Sequence, residues 1–402
     1  MSNPRILMIN NHIHFGGGGD AAFRHEKLIY EEEGYDVYTF SMASSVPDDL
    51  TDNDIVSVVS DKSYRNKISK YLGNKGITND LKLALDKINP HLVHVHLVSD
   101  YPISIYSALA SYPVIHTLHG PNLFCATSWG CIKSNSKLCE MGVGIKCLKN
   151  KCVSLKTFPL QYELAKRSEY WCKKNILAYL CPSKQIKASA ESLGYTPAIY
   201  LPLSIDREFE NIELEKPGDI PTILFVGALV EQKGLYYLIE ALDQILEVMP
   251  ETILKIAGRG VMEAQLQTMI KDKGIESSVQ FLGFCSRDEV IGLYKKSTVL
   301  AVPSIWKEQF GLVGPEALAC GLPAVGSDIG GIPEWLEDGR GGYLARPRDS
   351  SDLADKLLRI IKDKDLRDAM SVKGREFILN NFSPRKYKEN ILNVVNKYKR
   401  LD

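Results

Sequence analysis

This chain of 402 residues is short of several things, and each shortage removes a class of function. No stretch approaches the roughly 18 consecutive apolar residues that a membrane-spanning helix needs, so nothing in it is expected to cross a bilayer. It has no net charge, since 49 lysines and arginines offset 49 acidic residues. A global field for nucleic acid is therefore missing, and no nucleic-acid partner is expected. The opening Met1-Ser-Asn-Pro-Arg-Ile-Leu-Met-Ile-Asn10 lacks the charged, apolar and small-residue regions of a secretory leader, which makes the cytoplasm the expected location. Nine cysteines in such a compartment point to thiols or metal ligands before disulfides. Histidine is absent after Gly120: His12, His14, His25, His91, His94, His96, His116 and His119 all precede it.

What remains is a composition of 45% hydrophobic and 24% charged residues, ordinary for a globular protein, in a length that suits two domains. Arg5–Asn10 reads as an apolar strand, His12–Gly19 as a glycine loop, Ala21–Glu33 as a helix stopped by Gly34, and Asp36–Phe40 as a second strand. Further strands are expected at Leu92–Leu97, Val114–Leu118, Ile176–Leu180 and Ala198–Leu201. The polar run Glu208–Asp219 reads as a hinge. Beyond it, strands at Thr222–Val226, Ile253–Ala257, Val279–Leu282, Thr298–Val302 and Pro323–Val325 alternate with helices. That alternation predicts an α/β fold of doubly wound parallel sheets, with a ligand in the cleft between two halves.

The most informative segment is Glu308-Gln-Phe310-Gly311-Leu312-Val-Gly-Pro-Glu316. It sets two carboxylates eight positions apart across a loop-to-helix junction, so that both could touch one extended ligand. A helix starting near Val313, with Pro315 at a first helical position and Gly321 at its end, would aim free N–H groups at an anion such as phosphate. These residues alone also suit a bland reading, in which Glu316 offsets the helix dipole and Glu308 is solvated.

Together with Gly330-Gly-Ile-Pro-Glu334 and Glu337-Asp-Gly-Arg-Gly-Gly-Tyr-Leu344, that segment resembles the signature of retaining glycosyltransferases of family 4, the group 1 glycosyl transferases. The resemblance is strong over 220–383 and looser before. It implies the GT-B fold, with two Rossmann-like domains facing a cleft. Its expected parts are an acceptor-side domain over 1–205 with a cysteine-bearing insertion about 120–155, a nucleotide-sugar domain over 206–383, and a helix over 384–402 that crosses back to the first domain. By the resemblance Glu308 contacts the transferred sugar and Glu316 the ribose, with Phe310, Gly311 and Leu312 beside the donor. Lys233, in the loop after the second domain's first strand, matches the family's diphosphate cation. Ala228 stands where the family often has arginine, and Arg259 is expected to compensate in part. Gly17 and Gly18 belong to a loop that covers the donor diphosphate or shapes the acceptor side, while His116 resembles the strand-end histidine that approaches the reacting sugar. A nicotinamide reading of the same glycines fails because Phe40-Ser41 supplies no acid for a ribose.

His94 and His96 are expected to face opposite sides of their strand, each a buried hydrogen-bonded histidine, and no H-x-x-x-H pair supports a zinc hydrolase. Cys125, Cys131, Cys139, Cys147 and Cys152 are spaced too widely for a zinc knuckle. The family resemblance makes Cys125, Cys139, Cys147 and Cys152 a structural metal set, zinc being the expected ion, with reduced thiols as the alternative and a disulfide after both. No cofactor is expected for catalysis. The implied function is retaining transfer of a sugar from a UDP- or GDP-linked donor to a hydroxyl of a glycan or lipid-linked acceptor, in bacterial surface polysaccharide or glycolipid assembly. A sugar-nucleotide epimerase, a phosphorylase or a non-catalytic sugar-nucleotide-binding protein are the alternatives. Between Lys146 and Lys187 ten basic residues face only Glu163 and Glu169, which raises an anionic membrane surface, and so a peripheral location at the inner face, against a plain solvated helix face.

Overall fold

The computed structural model describes residues 3–11, 18–43, 45, 50–58, 75–126, 139 and 142–400. Within them the chain forms two compact units, Met1–Pro202 with Lys388–Asp402, and Leu203–Tyr387.

The first unit holds seven strands: β1 (Arg5–Ile9), β2 (Asp36–Ala43), β3 (Asp54–Val58), β4 (Leu92–Val95), β5 (Val114–Thr117), β6 (Ile176–Cys181) and β7 (Ala198–Tyr200). They make one parallel sheet in the order β3-β2-β1-β4-β5-β6-β7. The reversal between β1 and β4 is the switch point at which open α/β sheets collect ligands. Strand side chains alternate between faces. Leu7, Ile9, Val93 and Val95 therefore enter one core with Leu81 and Leu85 of the helix Lys75–Ile88, while His94 points to the opposite face and meets the helix Gly18–Glu32. The end of the chain closes onto this unit: Tyr35 Oη donates to Asn396 Oδ1 at 3.1 Å and the Arg400 N–H to the His91 carbonyl at 2.9 Å.

The second unit has six parallel strands, β8 (Thr222–Val226), β9 (Ile253–Ala257), β10 (Val279–Gly283), β11 (Val299–Val302), β12 (Ala324–Ser327) and β13 (Gly342–Ala345), in the order β10-β9-β8-β11-β12-β13. Alternation sorts its apolar residues into two cores. Ile223, Phe225, Val299 and Ala301 pack with the helices Leu235–Leu246 and Ser350–Lys362, and Leu224, Leu300 and Val302 pack with Val313–Ala319 and Trp335. Both faces are covered, which is why these strands read as continuous apolar runs. The strands β3 and β13 were not expected from the sequence. β13, Gly342–Ala345, is a four-residue edge strand that starts inside the glycine-rich run Gly339–Gly342, where propensity argues against a strand.

The expected helix near Val313 spans Val313–Ala319, and Gly321 follows it at φ +77°. Pro315 is its third residue, not its first.

Candidate functional site

In the second unit the loops that leave β8 and β11 meet backbone to backbone. Gly234, at φ +71°, ends the short turn Glu231–Lys233, and a Cβ there would lie 1.9 Å from the Pro303 carbonyl oxygen. Only glycine permits that approach. The Ile305 N–H donates to the Gln232 carbonyl at 2.9 Å across the same contact. Lys233 is thereby delivered to the segment after β11: its Nζ stands 2.6 Å from Glu308 Oε1, and Ser304 Oγ donates to the same oxygen at 2.7 Å.

Glu308 is 5% exposed. Burial pushes its carboxyl up, but the Lys233 ammonium and the hydrogen bonds from Lys233 and Ser304 outweigh it and hold the group below the ordinary carboxylate range. The Glu308 backbone is gripped as well, because a Cβ on Gly330 would lie 2.4 Å from its nitrogen and 2.5 Å from its oxygen. The Gly331 N–H donates to that oxygen at 2.8 Å. The Gly330-Gly331 pair of the sequence signature thus exists to let the turn after β12 press on the Glu308 backbone.

Glu316, on the helix Val313–Ala319, is 7% exposed. Arg287 donates to its Oε1 at 2.9 Å and Tyr294 Oη to its Oε2 at 3.3 Å. Burial raises its pKa to about 7 despite the opposing Arg287 charge. Arg287 also pairs with Asp206 and Glu208 and lies over the Phe209 ring. Arg287 is the residue sequence reasoning missed; a lone arginine at the start of an amphipathic helix gives no local signal of a partner 29 positions away.

Phe310 does not offer its ring to a ligand. Its side chain is fully buried against Phe382, and its carbonyl accepts from Trp335 Nε1 at 2.6 Å, so only its N–H can face a donor. Gly311 lies at φ +79° and Leu312 is half-buried at the start of the Val313–Ala319 helix. Arg259 is exposed, with Nε about 3.5 Å from where a Gly283 Cβ would stand, and among the described residues no carboxylate pairs with it. The backbone before it presses on the loop after β8, since a Cβ on Gly258 would lie 1.9 Å from the Gly227 oxygen.

The histidines belong to the first unit. His116 lies inside β5, not beyond its end; it is 3% exposed, and its Nε2 donates to the His96 carbonyl at 3.0 Å. That bond leaves Nδ1 as a bare acceptor, without a hydrogen-bond partner. Burial lowers its pKa to about 4, so the ring is neutral at pH 7. His119, two residues past the strand, occupies the strand-end position the sequence reading gave to His116, and its Nε2 meets His96 Nδ1 at 2.9 Å. Both line a cavity of about 350 Å³ with Tyr101, Tyr106, Leu123 and Gln161. A Cβ on Gly19 would lie 3.2 Å from the His119 ring. Gly18 opens the Gly18–Glu32 helix beside it, while Gly17 lies outside the described residues.

His94 and His96 do not face opposite sides. Residues two apart on a strand share a face, and the two rings lie 4.2 Å apart. Cys147 is buried, and Cys125, Cys139 and Cys152 are half-buried. Burial raises the Cys139 pKa, and Cys125, Cys147 and Cys152 are each near enough to raise it further. Among the described residues, however, no three of these sulfurs lie within 4.8 Å of one another; Cys131 lies outside the described residues. In the basic stretch, Lys166 and Lys173 both pair with Glu169, and Arg167 pairs with Glu163.

Residues 206–377 match the family model described as glycosyl transferases group 1. The D-inositol 3-phosphate glycosyltransferase of Corynebacterium jeikeium is 38% identical over 202 residues, which cover 48% of this chain and 46% of that protein. The chain spans about half the length of the curated relatives it matches. Among solved structures, the sucrose-phosphate synthase of Thermosynechococcus elongatus superposes with a TM-score of 0.76 at 18% identity, covering 98% of this chain and 99% of that one. HepE of Anabaena, in complex with UDP and glucose, gives 0.72 at 17% identity, covering 98% and 100%. The fold is GT-B, two Rossmann-like parallel-sheet domains.

Proposed function

We propose that this protein is a retaining glycosyltransferase that moves a sugar from a UDP- or GDP-linked donor to a hydroxyl of a glycan or lipid-linked acceptor, in surface polysaccharide or glycolipid assembly. The observation that carries this reading is the Lys233–Glu308 pair, held at 2.6 Å by two glycine-dependent backbone contacts at the carboxyl ends of β8 and β11. An ion pair with a buried carboxylate, on two loops that grip each other by backbone, is an expensive arrangement for stability alone, and it stands where open α/β sheets bind ligands.

In the proposed reaction the anomeric C–O bond to the diphosphate breaks, a C–O bond to the acceptor forms, and the acceptor proton passes to the departing phosphate. Lys233 meets the charge that grows on the leaving diphosphate, with Arg259 as a second, unpaired cation. Glu308, kept ionised, accepts hydrogen bonds from the sugar hydroxyls, and Glu316 accepts those of the ribose. The group 1 family match over 206–377 and the UDP and glucose in the HepE structure support a nucleotide-sugar donor. For the histidine that meets the reacting sugar, His119 has the more accessible position and His116 the buried one. Cys125, Cys139, Cys147 and Cys152 are proposed to hold a structural zinc, and the basic helix Phe158–Asn175 to meet an anionic membrane surface. The test is release of nucleotide from UDP-, GDP- and ADP-sugars by purified protein. Turnover of at least one donor that depends on Lys233 supports the proposal, and release from none with any hydroxyl acceptor contradicts it.

A further inference from the structure

A second cluster lies apart from the donor-side residues, on the helix-covered face of the first sheet. Glu26, in the middle of the helix Gly18–Glu32, reaches down to β4, where His94 Nδ1 lies 3.2 Å from Glu26 Oε2; His96 Nε2, one residue past the strand, lies 3.6 Å from the same oxygen. All three side chains are fully buried. Ligands about 2.0–2.2 Å from a tetrahedral zinc stand roughly 3.3–3.6 Å from one another, and the two separations seen here fall at or beside that edge length. Tyr30, one turn after Glu26, brings its hydroxyl to 3.0 Å from His94 Nδ1 and offers a fourth oxygen.

The far nitrogens of the two rings are engaged as those of metal-ligating histidines are. His94 Nε2 lies 2.7 Å from Thr117 Oγ1, and His96 Nδ1 lies 2.9 Å from His119 Nε2. In the tautomer where those far nitrogens donate, the near nitrogens of both rings present lone pairs on the Glu26 side, that of His94 within reach of the Tyr30 hydroxyl. His96 Nε2 is buried without a hydrogen-bond partner. In that tautomer, lone pairs facing a carboxylate in a sealed interior repel unless positive charge lies among them. A cation held by two imidazole nitrogens and one carboxylate resolves that arrangement.

We propose that Glu26, His94 and His96 form a buried structural site for a divalent transition-metal ion, tying the helix Gly18–Glu32 to the centre of the first sheet. Two imidazole nitrogens and one carboxylate favour zinc over magnesium or calcium, which take oxygen ligands. The ligands' burial leaves no open position for substrate, so the role is stability and the placement of His119. The site is independent of the glycosyltransferase reading and of the cysteines.

Zinc is measured by elemental analysis and K-edge X-ray absorption in full-length protein purified without chelator, as wild type and as the Cys139→Ser/Cys147→Ser and Glu26→Gln variants. The proposal expects about one zinc to remain in the cysteine variant, with a nitrogen and oxygen shell, and that shell to be lost in Glu26→Gln. Chelator dialysis of the cysteine variant should lower Tm by several degrees, because the ion binds only the folded chain. If the cysteine variant does not fold, the wild-type absorption edge decides: a nitrogen and oxygen component beyond the sulfur shell supports the site, and a sulfur-only shell overturns it. Wild type that holds no zinc, even after equilibration with zinc chloride, overturns it too, as does an unchanged shell in Glu26→Gln.

Discussion

Glu308 and Glu316 are both carboxylates on one short segment, yet their surroundings drive them in opposite directions. Lys233 keeps Glu308 ionised, whereas burial lifts Glu316 to a pKa of about 7. For Glu316 the folded pKa exceeds the ordinary 4.5, so its stabilising contribution is complete below pH 4.5 and is lost as pH rises through 7. Ribose hydroxyls donate and therefore favour the carboxylate, so nucleotide binding at pH 6 should release up to one proton. Calorimetry in buffers of different ionisation heat reads this directly, and an equal release in Glu316→Gln would sink the assignment. Lys233→Ala should lower turnover roughly 10²- to 10³-fold, comparable to loss of one oxyanion donor. It should also cost about 1–3 kcal/mol of stability, less than a fully buried pair would, because Lys233 is partly solvated. Denaturant unfolding beside single-turnover kinetics separates the two effects, and wild-type turnover would refute the role. Lys233 and Glu308, which the structure pairs, were both singled out by spacing and family likeness, as was the buried Glu316. Arg287 and the burial of Phe310 were not, because both depend on contacts between residues distant in sequence.

At the scale of elements, glycines fix the site more than helix propensity does. Gly330 sits at φ +65° with Glu308 backbone atoms where a Cβ would go, and a Cβ on Gly314 would lie 2.0 Å from the Trp335 ring. Gly330→Ala should therefore destabilise by more than about 2 kcal/mol and displace Glu308, since strain in φ adds to a backbone clash that cannot relax. Gly339→Ala is the control: it shares a positive φ but has open space around its Cβ, and it should cost about 1 kcal/mol with turnover intact. Equal effects of the two in thermal unfolding and turnover would contradict this. The central strands were legible because burial on both faces makes them unbroken apolar runs. Edge strands β3 and β13 escaped, whereas β7 and β10, also at edges, were expected from their apolar runs. The face shared by His94 and His96 follows from the two-residue period of a strand, and the sequence reading assigned it wrongly.

For the whole molecule, net neutrality hides local asymmetry. Glu163 and Glu169 pair with Lys166, Arg167 and Lys173 along the Phe158–Asn175 helix, so the field there is weaker than the lysine count suggests. Binding to anionic liposomes should accordingly be detectable at low salt and lost near 150 mM, where the Debye length is about 8 Å. Sedimentation that shows no binding at low salt would remove the membrane reading. The compact units divide at Pro202, with the return at Lys388, where the sequence reading set 205 and 384. The central claim is that the second unit carries a nucleotide-sugar site organised around Lys233 and Glu308. Its most direct test is nucleotide release from a panel of UDP-, GDP- and ADP-sugars, comparing wild type with Lys233→Ala and Glu308→Ala. The account predicts turnover of one donor class by wild type and a loss of at least about 10²-fold in each variant. Release that is undiminished in both would contradict it.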